Sequence, residues 1–219
     1  MTRREIIIGM ATSAALLGLG AAAAETPDPA GIALPPPRRQ GGKSLVEALQ
    51  LRRSGRAYDG RPLSRQLLSD LLWAAFGINR PESGERTAPY WRHVMVIDVY
   101  AALADGVWLY EPKAHRMLPY GNDDIRADTG LQDFVAGAPL NLIYVAHGER
   151  MGDITAEDRR LYASVDAAFI GQNVYLFCAA EGLATVFRGA VDGARLARIM
   201  RLGEGQFVTF AQTVGYPPA

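Results

Sequence analysis

Val94-Met95-Val96-Ile97-Asp98-Val99-Tyr100-Ala101-Ala102-Leu103, followed by Ala104-Asp105-Gly106 and then Val107-Trp108-Leu109-Tyr110-Glu111, is the stretch that decides the fold class. β-Branched and aromatic residues crowd both arms, and a turn-forming Asp-Gly pair separates them. The pattern predicts an antiparallel hairpin. Lys113–Tyr120 reads as a third strand. Leu140–Ala146 is a continuous apolar run that suits a buried strand. Ala184–Phe187 and Gln206–Val214 complete the set. Helices lie between and before them. Ser44-Leu45-Val46-Glu47 is a capping box, with Leu45, Val46 and Leu49 as the apolar stripe of a helix running to about Arg52. Ser64 caps a second helix that Gly77 ends. Arg80–Arg92 reads as a polar loop. Leu131–Ala136 is a short helix. Thr155 caps a long one to Glu181, on which Leu161, Val165, Ala168, Phe169, Gln172 and Leu176 share a side. Asp192 caps the last, with Leu196, Ile199 and Met200 inward. The fold class is α+β: a mostly antiparallel sheet with helices packed on it.

The 219 residues carry 23 Lys+Arg and 23 Asp+Glu, and 49% are hydrophobic. Balanced charge gives no field to gather nucleic acid or anionic lipid. One cysteine, Cys178, excludes an intramolecular disulfide framework and any cysteine-based zinc or iron–sulfur site. It lies in the apolar long helix and reads as a small core residue rather than a redox thiol. His93, His115 and His147 are not spaced as metal ligands, and no metal is expected. Neither a G-x-S-x-G motif nor a P-loop is present, and no carboxylate pair is marked for acid/base work. No side chain is assigned a catalytic role. An enzyme built this way would rely on a bound cofactor.

The first residues read as a targeting segment. Arg3-Arg4, Ile6-Ile7-Ile8, a Gly/Ala/Leu stretch and Ala22-Ala23-Ala24 give a signal peptide over 1–24. The apolar part is short for a membrane anchor. Thr2-Arg3-Arg4-Glu5-Ile6-Ile7 fits the twin-arginine pattern. The expectation is export to a bacterial periplasm, without stable membrane insertion after cleavage. Residues 25–42 hold five of the thirteen prolines and read as a solvated Pro-rich tether. The domain is expected over 43–219.

Arg52-Arg53-Ser54-Gly55-Arg56 is the densest chemical signal. Guanidiniums bind phosphate in bidentate fashion, and Gly55 lets the backbone turn around a ligand. That is one reading, an anion cradle. A solvated basic helix end is the other, since arginine also complements the helix dipole.

R-R-S-x-R followed by Pro62-Leu63-Ser64 resembles the start of the FMN-dependent nitroreductase family. The similarity continues in order through Leu71–Arg80, Arg86-Thr87-Ala88-Pro89, Val107–Asp124, Phe134–Pro139, Gly171–Leu176 and Gln212–Pro217. These segments are similar to the thiazole/oxazole-forming (SagB-type) dehydrogenase branch. The resemblance implies a homodimer of three-layer α/β/α subunits, with FMN at the subunit interface. It implies that Arg52, Arg53, Ser54 and Arg56 hold the FMN phosphate and ribityl chain. It also places Arg188-Gly189 at flavin N5, with backbone N–H groups facing the ring, and Pro89, Tyr90 and His93 in the cofactor loop. Where the family loop has Ser, Asn and Gln, this chain has Tyr90, His93 and Met95. Tyr90 and Trp91 stack on a ring or belong to a dimer core. The implied activity is hydride transfer through flavin N5 to or from a small electron-poor or thiazoline-like substrate. A non-catalytic flavin- or ligand-binding protein on the same fold is the alternative. The electron donor or acceptor is unnamed, and for an exported protein a nicotinamide is not the expected one.

Overall fold

In the computed structural model, which describes residues 31–218, the hairpin forms where the sequence places it. The signal peptide expected over 1–24 lies outside the described residues. In chain order the elements are β1 (Ile32–Ala33), α1 (Leu45–Leu51), α2 (Arg65–Phe76), β2 (Ile78–Arg80), β3 (Glu85–Arg86), β4 (Ile97–Leu103), β5 (Gly106–Glu111) and β6 (Arg116–Gly121). There follow α3 (Phe134–Gly137), β7 (Leu140–His147), α4 (Ala156–Glu181), β8 (Ala184–Arg188), α5 (Gly193–Ile199) and β9 (Gln206–Gly215). Leu103 faces Gly106 across the β4–β5 turn. Gly106 takes a φ of 132°, and a β-carbon there would overlap the Gly121 carbonyl. Only glycine closes this turn.

The main sheet runs β1-β6-β5-β4-β7-β9-β8, with every pairing antiparallel. Alternation along its central strands builds two cores. Val99, Leu142 and Tyr144 face α2 and α4 and join Leu71, Leu72, Ala75, Ala167 and Ile170. Tyr100, Ile143 and Val145 face the other way and meet Leu196 and Met200 at α5. Helices therefore cover both faces, which is the three-layer α+β arrangement. All four expected caps form: Ser44 and Glu47 make a reciprocal capping box, and Ser64, Thr155 and Asp192 accept from the N–H groups of Leu67, Asp158 and Arg195. His147, at the end of β7, lies 2.7 Å from Asp98 and 2.8 Å from Glu149 through its two ring nitrogens. That clamp fixes the connector to α4.

Four expectations are corrected. The segment expected to be a solvated tether is docked from residue 31 onward. Ile32 pairs with Met117, and Leu34 is buried. Ser69 Oγ donates to the Pro35 carbonyl, and Arg38 pairs with the buried Asp70 carboxylate at 2.6 Å. Proline lacks an N–H, but its carbonyl still accepts, so a proline run can be held by side chains. Second, the core face of α4 is Ala163, Ala167, Ile170, Val174 and Cys178. The stripe with Leu161, Val165 and Phe169 points outward. Small residues face the sheet because α4 packs close to it: a β-carbon at Gly171 would collide with the Phe187 ring. Third, the Arg80–Arg92 segment is not all loop: it overlaps the small β2–β3 hairpin, which begins at Ile78, and enters a 3-10 turn at Trp91–His93. Ile199 of α5 is also more exposed than Leu196 and Met200.

Candidate functional site

Helix α1 ends at Leu51, and Arg52 turns the backbone extended, with φ −54° and ψ 120°. The arginine segment then runs along the outer edge of β8, where Gly55 N–H donates to the Thr185 carbonyl at 2.9 Å. A β-carbon at Gly55 would lie 2.9 Å from that of Ala184, so glycine is what permits the approach. Ser54 Oγ and the Tyr175 hydroxyl share a 2.8 Å hydrogen bond, and Phe187 N–H donates to the same hydroxyl at 2.9 Å. The Arg52 guanidinium lies 5.4 Å above the Tyr175 ring. Tyr58 closes the turn by donating to the Gly55 carbonyl at 2.7 Å.

Beside this turn is a cleft of about 350 Å³, lined by residues that include Lys43, Arg53, Arg56, Tyr175, Thr185 and Pro217. Arg53, Ser54 and Arg56 are exposed, and Arg52 is half-buried. Salt bridges elsewhere engage Arg38, Arg61, Arg80, Arg126, Arg150 and Arg195. Among the described residues, none engages Arg52, Arg53 or Arg56. Positive charge, a hydroxyl and a close-packed glycine turn fit an anionic group such as a phosphate. A second cavity, of about 390 Å³, opens on the opposite sheet face at Tyr120, Ile125, Met200 and Arg201. None of the candidate site residues lines it.

The remaining candidates are not gathered here within one subunit. Tyr90 donates to Glu85 at 3.0 Å, and His93 Nδ1 lies 3.1 Å from the same carboxylate. Pro89 is exposed beside them. Trp91 N–H donates to the buried Asp166 carboxylate of α4 at 3.0 Å, and the Trp91 ring lies 5.7 Å from that of Tyr162. The loop thus meets α4 at residue 166 and the cradle meets it at residue 175, about 14 Å apart along the helix. Arg92 and His93 both take left-handed backbone angles, φ 46° and 58°. Burial pushes the Asp166 carboxyl up to about 6, against the lowering effect of the Trp91 N–H.

The resemblance gives Arg188 a role through its backbone N–H. Its side chain does not enter the cleft; it is buried on the other face of the sheet, against Thr213, Thr129 and Asn141. Strand alternation decides this: Thr185 and Phe187 face α4, so Arg188 cannot. Gly189 is exposed at the end of β8. Sequence reasoning missed Tyr175, Thr185 and Lys43 as parts of the cleft. Tyr175 falls inside the quoted Gly171–Leu176 segment, but nothing in helical periodicity marks its hydroxyl as a strut for Ser54.

The molecule is thus an antiparallel α+β domain whose arginine turn, without a salt-bridge partner among the described residues, lies beside the edge strand β8. The family model "Nitroreductase family" matches residues 49–216, and the chain belongs to that family. A nitroreductase relative from Methanocaldococcus jannaschii is 30% identical over 170 residues, covering 73% of this chain and 85% of its own. A crystal structure of a nitroreductase homologue from Ralstonia eutropha JMP134 shares 41% identity and a TM-score of 0.83. The match covers 86% of this chain and 90% of that one. The NADPH:FMN oxidoreductase of Vibrio harveyi, solved with NAD+, is 18% identical with a TM-score of 0.58. It covers 80% of this chain and 68% of its own, and shows the shared fold. Nitroreductases are oxidoreductase enzymes and are generally flavin-dependent.

Proposed function

We propose that the protein is an exported, homodimeric FMN-dependent oxidoreductase that moves a hydride to or from a small electron-poor or thiazoline-like substrate. The observation that carries this reading is the arginine turn at the cleft, without a carboxylate partner among the described residues. FMN, when bound, supplies the hydride chemistry at its N5. Arg52, Arg53, Ser54 and Arg56 hold its phosphate and ribityl chain, and Gly189 offers open backbone to its ring. No side chain is assigned a proton transfer. The Vibrio harveyi enzyme, an NADPH:FMN oxidoreductase of related fold, supports FMN as the flavin.

The dimer is supported by an apolar outer surface. Leu45 on α1 is 65% exposed, and on α4 Leu161 is 53% and Phe169 44% exposed. A second copy would bury this stripe and bring its own loop 89–93 toward the cradle, which makes one site from two chains. Export rests on the Thr2–Ile7 pattern. Outside the cytoplasm the electrons would pass to or from a quinone, a redox protein or the substrate rather than a nicotinamide.

Titration of the purified protein with FMN and with riboflavin tests the site. Arg52→Ala and Arg56→Ala should each weaken FMN binding roughly 10- to 100-fold, the equivalent of one charge-assisted contact of about 1.5–3 kcal/mol. Riboflavin binding should not change. FMN binding like the parent's in both variants would overturn the cradle.

A further inference from the structure

Lys43 ends the docked segment over residues 31–43 and lines the cleft together with Arg53 and Arg56. Two glycines bring it there. Gly41 and Gly42 take φ of 96° and 76°, consecutive left-handed angles that glycine adopts without strain. They turn the chain from Arg38, held by Asp70, to Ser44, the cap of α1. The Lys43 ammonium is exposed and donates to the Ala180 carbonyl at 3.0 Å. That bond uses one of its three protons. Among the described residues no carboxylate forms a salt bridge with it. The acidic groups nearby are engaged elsewhere. Glu47 interacts with Lys43 electrostatically, but its carboxylate accepts from Ser44 N–H at 2.9 Å and from Ser44 Oγ at 2.6 Å. Glu181 lies 3.5 Å from the Arg38 guanidinium.

Ala180 lies in the last turn of α4, and Ala179 and Gly182 from the same helix end also line the cleft. A helix ends on carbonyls without intrahelical partners and carries about half a negative charge there. Left bare, that end would oppose an anion in the same cleft. Lys43 sits on it. For α1 the charge is unfavourable, since a helix start prefers an anion and Lys43 immediately precedes the cap. The end of α4 and the cleft, not α1, therefore account for a cation at this position. Pro217 and Pro218, which follow β9 in the lining, bring no charge.

Resting on the FMN reading of the cleft, we propose that Lys43 is a fourth cation of the cradle, supplied by the docked segment. It masks the negative end of α4 and gives its two remaining protons to the phosphate. Because the segment carries it, phosphate binding and the docking of residues 31–43 strengthen one another, as linkage requires. That segment begins at β1, on the sheet edge opposite β8. The preference for a phosphate-bearing flavin over neutral riboflavin is thus built partly by a strand at the far side of the molecule.

The test is titration of the full chain with FMN and with riboflavin, at low and at high salt. Lys43→Gln offers an N–H to the Ala180 carbonyl but removes the charge, and Lys43→Arg keeps the charge. Lys43→Gln should bind FMN about tenfold more weakly, the low end for a charge-assisted contact because the ammonium is exposed. The loss should shrink at high salt, where exposed charges are screened. Lys43→Arg should bind FMN like the parent, and riboflavin binding should be the same in all three proteins. Hydrogen exchange around Leu34, whose N–H donates to the His115 carbonyl, reads the coupling. Saturating FMN should slow it in the parent and less so in Lys43→Gln, and riboflavin should not slow it. Parent-like FMN binding by Lys43→Gln would overturn the proposal. So would equal weakening of FMN and riboflavin, which would leave Lys43 as a closure of α4 alone. Exchange around Leu34 that ignores FMN would overturn the coupling. A parent chain that binds no FMN, or whose FMN affinity survives Arg52→Ala and Arg56→Ala, would overturn the functional reading itself, a distinct failure.

Discussion

Gly55 and Asp166 show how single residues set the site. At Gly55 the missing side chain brings the arginine turn onto β8. Gly55→Ala would push the turn off Thr185 and break the Gly55 N–H bond, worth about 1 kcal/mol. FMN affinity should fall roughly fivefold or more in an equilibrium titration, with riboflavin less affected. Asp166 holds loop 89–93 to α4 from a buried position, and its cost is pH-dependent. A carboxyl raised from 3.8 to about 6 holds its proton more tightly in the folded state. Folding stability therefore falls as pH rises between those values and stays lower above them, by about 3 kcal/mol. Asp166→Asn keeps an oxygen for Trp91 N–H and cannot ionise. It should melt higher than the parent at about pH 8, with the gap closing by about pH 4. An equal gap at both pH values would show that the ionised carboxylate costs nothing.

Among the elements, the docked strap over residues 31–43 matters most to the site. It pairs with the free edge of β6, crosses α2 through Arg38–Asp70, reaches Glu181 at the end of α4, and delivers Lys43 to the cleft. It covers a sheet edge and fixes where α1 begins, and α1 leads directly into Arg52. Leu34 anchors it in the core. Leu34→Ala should cost about 2 kcal/mol, the lower end for a buried leucine, and lower the melting temperature accordingly. A tether free in solvent would show no change. The strap was not legible in the sequence because its bonds join residues more than thirty positions apart, Arg38 to Asp70 and Ser69 to Pro35. By contrast, the caps at Ser44, Ser64 and Thr155 span three residues each, and the sequence marks all three correctly.

At the scale of the whole molecule, the outward stripe on α1 and α4 decides the assembly. Phe169 is exposed in the single chain, so Phe169→Glu should leave the subunit folded while breaking the proposed dimer. Sedimentation should give the mass of one chain, with FMN lost because loop 89–93 of the second copy is gone. A variant that stays dimeric and holds FMN would place the interface elsewhere. The periodicity of α4 was visible, but its polarity was not. Both sides are apolar, and only close packing against Phe187 and Gln212 selects the side with Ala163, Ala167 and Gly171 as the inner one.

The sequence by itself determined what depends on neighbours along the chain. That covers the β4–β5 hairpin with its glycine turn, the helix caps, the α+β class, and the concentration of arginines at 52–56. Its ordered motifs also sufficed to indicate the family. Tertiary structure alone decided which of these residues meet. It set Tyr175 under Ser54, docked the strap on β6, separated loop 89–93 from the cradle along α4, and turned Arg188 away from the cleft into the opposite core. The physical reason is that local spacing fixes backbone shape and alternation. Which face of a strand or helix becomes interior is settled by the elements packed on it, and those come from distant parts of the chain.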